Sequence, residues 1–280
     1  MPLGENDGAE FGPLATMLSV LYQAPIWLSG LLLVIILLAA IEVGYRAGFR
    51  TRDVWKNAEA GGGNVVLTSM LGLLGLILAF TVASGVSHHK VRKQAVIAEA
   101  NALGTAFLRA DLFADPGRTG LKQALLAYAR TRTVASGKAL SADRFREIID
   151  RSLQEKAKLW PATQQVLRQN GPAPIVASLV AAVNDVMDLH TIRVAAVFDR
   201  LPRIVLVMLV FIAAASLAVA GFNAGISGRM SRWRMTALAL VLAGVMLLII
   251  DFDRPISGFI HVDHDSIHSV IAEMEADLAQ

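Results

Sequence analysis

The stretch Val65–Val86, VVLTSMLGLLGLILAFTVASGV, decides the fold. It runs for twenty-two residues without a charged side chain or a proline. A bilayer core about 30 Å thick needs about 20 apolar residues, so this run is long enough to span one. Nothing breaks it at its end: no proline occurs from Val65 to Ala114. One long helix is therefore expected to leave the apolar run and continue to Asp115-Pro116-Gly117, a strong turn signal. Three more charge-poor runs follow the same logic: Ile26–Gly44, Ile204–Ala224 and Met235–Ile250. Trp27 and Tyr45 flank the first, while Trp233 and a snorkelling Arg234 extend the last.

The 280 residues are 55% hydrophobic and only 18% charged. Soluble domains average about 25% charged. The expectation is an all-α, four-span integral membrane protein with a helical extramembrane domain inserted between spans two and three. Its segments are an N-terminal tail (1–25), spans one and two (26–86), the helical domain (87–203), spans three and four (204–250) and an acidic C-terminal tail (251–280). The N-terminal tail carries Glu5, Asp7 and Glu10 and no base. It lacks the basic region of a cleavable signal peptide, so the first span is expected to be retained.

Charge is distributed unevenly. Residues 87–203 hold 18 basic against 10 acidic side chains, and residues 235–280 hold one base against seven acids. Nucleic-acid binding is the sharp reading of a basic domain. Here the bases are scattered with no aromatic interleaving, so a solvated, partly salt-bridged surface is expected and no nucleic acid. The short loops hold Arg46, Arg50, Arg52, Lys56, Arg229, Arg232 and Arg234. By the positive-inside rule they lie inside and the helical domain outside. Lys90, Arg92, Lys93, Arg193, Arg200 and Arg203 argue the other way.

Within the helical domain no period-two pattern occurs. Helices are expected at Gly120–Ala135, from an N-cap at Ser141 to Leu159, and at Ile175–Phe198. Trp160-Pro161 is expected to end the second of these. The last places Ile175, Leu179, Val183 and Val186 on one face.

Chemistry is sparse. There is no cysteine, which excludes thiolate nucleophiles and iron–sulfur clusters. No histidine or proline lies inside a span, and Glu42, one turn before Arg46, is the one ionisable group there. Broken helices and buried ionisable groups mark secondary transporters, so coupled transport is disfavoured. No hydrolase triad, phosphate loop or carboxylate dyad is apparent, so neither an enzyme nor a cofactor is expected. His264 and His268 stand four residues apart beside Asp263 and Asp265. That spacing suits a divalent metal, although a solvated amphipathic tail is the simpler reading. In span two, Thr68, Gly72, Gly75, Ala79 and Ala83 form a small-residue stripe. It fits close helix packing, or a pore-lining or subunit-facing role. Leu73, Ile77, Phe80 and Ser84 form a second stripe. Around an axis, Ile77 and Phe80 would make an apolar constriction.

Two stretches carry a family resemblance. One is Leu76–Phe80, LILAF, leading to Glu99–Leu112, EANALGTAFLRADL; the other is Asp251–Ile260, DFDRPISGFI. With the order two spans, helical domain, two spans, the chain resembles the prokaryotic bestrophin-like membrane protein family. That family has a suggested kinship with bestrophins, pentameric anion channels whose long second helix lines a pore. The resemblance implies a multi-pass protein of the prokaryotic plasma (inner) membrane. It also implies a homo-oligomer, pentameric by analogy, that passes small ions, with anions first. It makes Thr68, Gly72, Ile77, Phe80 and Ser84 pore or neck candidates. Glu99, Asn101, Arg109, Asp111, Asp251, Asp253, Arg254 and Pro255 become structural motif residues. Ser84 sits where a third bulky apolar residue is expected, and the acidic calcium-binding run of animal bestrophins is absent. Bestrophins keep the helical domain in the cytosol, opposite to the short-loop charges. A non-conducting membrane scaffold or stress sensor whose helical domain binds a partner is the alternative.

Overall fold

The computed structural model describes residues 25–55, 60–133, 142–169, 172–254 and 259–279. Among them are nine helices and no strand. They are α1 (Ile26–Arg50), α2 (Arg52–Trp55), α3 (Ala60–Ala110), α4 (Gly117–Thr131), α5 (Ala142–Leu167), α6 (Ala173–Phe198), α7 (Arg203–Ser227), α8 (Arg232–Asp253) and α9 (Asp265–Leu278). Four helical stretches are long and apolar enough to cross a membrane. They contain the four runs read from the sequence. The long helix expected from the proline-free stretch is α3, which has 51 residues and is about 76 Å long at 1.5 Å per residue. It starts at Ala60, so the backbone of Gly61-Gly62-Gly63 is helical rather than part of the preceding loop.

The chain divides into two compact units. One comprises residues 1–87 and 200–254, the other residues 88–199 and 255–280. In the first unit α1 and α7 cross with their backbones in contact. A methyl group added at Gly44 would overlap the backbone of Ala218, and one at Gly48 the backbone of Phe222. Reciprocally, Gly221 faces the Ile41 carbonyl and Gly225 the Tyr45 carbonyl. Gly44–Gly48 and Gly221–Gly225 are thus two Gly-x-x-x-Gly pairs that remove side chains where the helices meet. Leu33, Leu37, Leu209 and Leu217 fill the space around the crossing, and Ala239, Ala243 and Met246 bring in α8. Gly228, with φ +65°, closes α7 in the left-handed conformation that glycine adopts without strain. Glu42 and Arg46 form the expected i,i+4 pair, with 2.8 Å between Nε and Oε1.

In the second unit α3 contributes Val96, Leu103, Ala106 and Phe107 to a core shared with Leu121 and Leu125 of α4, Leu159 and Val166 of α5, and Leu179, Val183 and Val186 of α6. Two expectations are corrected here. Pro161 does not end α5, which continues to Leu167. The proline costs one backbone hydrogen bond, but Leu159, Thr163 and Val166 are fully buried on either side of it. Packing of that face outweighs the local break. Nor is the acidic C-terminal tail merely solvated. Ile267 and Met274 of α9 are buried in the same core, and Arg130 Nη2 meets Glu275 at 2.6 Å. The Ser141 N-cap lies outside the described residues.

Candidate functional site

Span two, the first part of α3, presents three kinds of face. Leu74, Leu78 and Thr81 point into the core of the first unit. The small-residue stripe does not: Thr68, Gly72, Gly75, Ala79 and Ala83 are all exposed. Gly72 and Gly75 have open space where a Cβ would stand. Among the described residues the close packing that the stripe fits is therefore not made; glycines of α1 and α7 supply it instead. The Leu73–Ser84 stripe divides. Phe80 is 68% exposed and Leu73 52%, whereas Ile77 is half-buried against its own core. Ser84 is also half-buried. Thr68 donates its hydroxyl to the Asn64 carbonyl at 2.9 Å.

The residues after span four are tied into the first unit. Asp251, Asp253 and Arg254 are buried. Asp253 Oδ1 accepts from the Leu201 amide at 2.7 Å, and Arg254 Nη2 donates to the Ser29 hydroxyl at 2.8 Å. Both contacts are structural, joining the end of α8 to the start of α1 and to the segment before α7. Pro255 lies outside the described residues.

The remaining motif residues belong to the second unit. Arg109 donates to the Ser178 carbonyl at 2.7 Å, which links α3 to α6. Asp111 pairs with Lys122, whose ammonium also meets Asp277 at 2.6 Å and lies over the Phe107 ring. Asn101 is exposed. The tail histidines are not brought to a metal geometry: among the described residues no three His, Cys, Asp or Glu side chains converge. Asp263 accepts from the Asp265 amide at 2.9 Å, just before α9. His264 is pushed down to about 4, by burial first and then by Arg193.

Glu99 is different in kind. It is fully buried and accepts from three side chains from two other parts of the unit, with a fourth, His190, joined through Tyr128. Oε1 accepts from the Tyr128 hydroxyl and, at 2.8 Å, from Arg132 Nε. Oε2 accepts from Arg193 Nη1 at 2.6 Å. Arg193 Nη2 in turn donates to the Arg132 carbonyl at 3.0 Å. The Tyr128 oxygen lies 3.0 Å from His190 Nδ1. Tyr128 has one proton and gives it to Glu99, so His190 must donate Nδ1–H to the tyrosine oxygen. In the neutral ring this leaves Nε2 unprotonated, and that atom is buried with no hydrogen-bond partner among the described residues.

Local sequence explains the convergence. Along α4 and its C-cap the buried line runs Leu121, Leu125, Tyr128, Arg132; along α6 it runs Leu179, Val183, Val186, His190, Arg193; along α3 it runs Val96, Glu99, Leu103, Ala106. Steps of three and four residues keep one helical face inward. At matching depth each line carries polar residues in core positions.

Burial alone would raise Glu99, but Arg132 and Arg193 outweigh it and hold the carboxylate below its ordinary range. Tyr128 is pushed up by burial and by the adjacent carboxylate. His190 is driven down to about 4, by burial first, then by Arg132 and Lys156. The centre is therefore a carboxylate clamped by two guanidiniums, with a neutral imidazole behind it. Sequence reading singled out Glu99 and missed Tyr128, Arg132, His190 and Arg193. The available signal was their three- and four-residue spacing within apolar lines.

Residues 33–267 match the family model described as a Bestrophin-like domain. No curated protein matches the chain. No solved structure matches it either.

Proposed function

The chain belongs to the bestrophin-like family, and from that premise we propose that it is a homo-oligomeric ion channel of the prokaryotic plasma membrane. Span two lines the pathway, and small anions are the permeant species. The observation that carries this reading is the uncharged, exposed face of span two. Gly72 and Gly75 stand in open space and Phe80 is two-thirds exposed, although the opposite face is packed. In an oligomer around an axis, Phe80 narrows the path with an apolar ring that closes by dewetting. Thr68 adds a hydroxyl to the lining, and Ile77 acts from behind as support for the Phe80 turn. The basic excess of residues 87–203 favours anions over cations. A pentamer is the stoichiometry that the kinship with bestrophins suggests.

Reconstitution of the purified protein into planar bilayers tests this. We expect an anion-selective current that Phe80→Ala enlarges or makes leaky. Silence across a wide range of voltage, pH and ion composition overturns it. A second reading is supported by the small-residue stripe, which also suits tight packing of span two against another copy. In that case the protein is a non-conducting scaffold whose helical domain binds a partner. Particle images separate the two: a ring with a wettable axial path supports the channel, and a dimer or lipid-plugged axis supports the scaffold.

A further inference from the structure

We propose that His190 is an acid-sensing site, at which a proton bound on Nε2 opens the Glu99-centred clamp and loosens α4 and α6 around α3. The geometry is specific. His190 is 2% exposed and uses Nδ1–H on Tyr128, so its one free basic site is Nε2, which faces no hydrogen-bond partner among the described residues. The charged groups around it come from every neighbouring helix. Glu99 stands on α3, Arg132 at the end of α4, Lys156 on α5 and Arg193 on α6 itself. Three of these four are cations. Tyr128, the fifth group in the cluster, is held neutral by burial. His264, just before α9, lies within reach of Arg193 and Arg132 and is itself held neutral.

A proton taken from solvent onto Nε2 makes an imidazolium, with Nδ1–H still on the tyrosine oxygen. The cluster then holds one carboxylate against four cations; Lys156 is partly exposed, but Arg132, Arg193 and the imidazolium are buried where water screens them little. The folded arrangement disfavours that species. An opened arrangement, in which the imidazole meets water, accepts the proton at its ordinary affinity. Acid therefore shifts the population toward the open form. The sign follows from the direction of the shift. His190 sits at about 4 when closed against 6.5 ordinarily, so the closed form is fully favoured above 6.5 and loses ground as pH falls toward 4. Between pH 7 and pH 5 the open population should rise about twentyfold.

Hydrogen exchange of the full-length protein in phosphatidylcholine nanodiscs tests this without reference to conduction. After correction for intrinsic exchange chemistry, amides near Tyr128–Arg132 and His190–Arg193 should exchange at least tenfold faster at pH 5 than at pH 7. His190→Gln should remove most of that acceleration at these amides, while His264→Gln, outside the hydrogen-bonded clamp, should leave most of it there and slow acid exchange chiefly near α9. The same acceleration in His190→Gln, or none in the wild type, overturns the proposal. If His190→Gln does not fold, the imidazole titration of the wild type, read by NMR of labelled histidine, decides. A His190 that titrates at its ordinary value while the helices stay closed also overturns it.

Discussion

In the first unit, helices α1 and α7 approach until glycine meets backbone: Gly44 and Gly48 on one side, Gly221 and Gly225 on the other. In the second unit, α3, α4 and α6 meet around a carboxylate that takes hydrogen bonds from a tyrosine and two arginines. The difference follows from the surroundings each unit is built for. Between apolar spans in lipid there is no water to expel, so contact comes from van der Waals fit, and glycine gives the closest fit. In the helical unit the apolar core is assembled against water, and that gain can carry a buried charge cluster, provided its members satisfy one another. Each solution has its own weakness. The first fails when volume is added, the second when a partner is removed.

The largest effect should come from adding volume at the crossing. Gly44→Leu or Gly221→Leu forces α1 and α7 apart and should abolish recovery of folded, monodisperse protein in detergent. Gly75→Leu adds the same volume where the described chain leaves open space, so it should leave the fold intact and alter only the proposed oligomer, read by size-exclusion chromatography with light scattering. Equal damage from both would break the contrast between packed and unpacked glycines. A middle effect should come from removing the carboxylate. Glu99→Ala leaves Arg132 and Arg193 buried without their acceptor and should cost about 3–5 kcal/mol, read by denaturant unfolding of the helical unit. Glu99→Gln should recover part of this loss, since its amide oxygen still accepts. The smallest effect belongs to the half-exposed Glu42–Arg46 pair. Glu42→Ala should change stability by only about 0.3–0.5 kcal/mol and lose even that at high salt. A larger loss there would mean that the pair does more than decorate the end of α1.

Much of the architecture was legible in the residues. Charge-free runs of spanning length identify themselves, because lipid tolerates few charges and sets the length required. The continuity of α3 follows from the missing proline. The break at Asp115-Pro116-Gly117 follows from turn chemistry, since α3 ends at Ala110 and α4 begins at Gly117. Pro161 shows the limit of such local rules. Its neighbours Leu159, Thr163 and Val166 are buried together, and their packing keeps α5 whole. The candidate sites were legible only in part. Glu99 stood out as an acid inside a familiar motif, but nothing local says that Tyr128, Arg132, His190 and Arg193 point at it from two other helices. Their basic members counted instead toward a solvated surface.

The sequence by itself determined where the chain is apolar, where it is helical and which family it resembles. These are properties of runs and periods, set by solvent and backbone. Tertiary structure alone decided which glycines are occupied by a neighbouring backbone and which face open space. Gly44 and Gly75 are both glycines in apolar helices, and only the path of α7 tells them apart. It also decided that a histidine in an apolar line shares one carboxylate's network with two arginines. Helical spacing says which residues share a face, whereas the meeting of three such faces at one depth depends on how the helices pack.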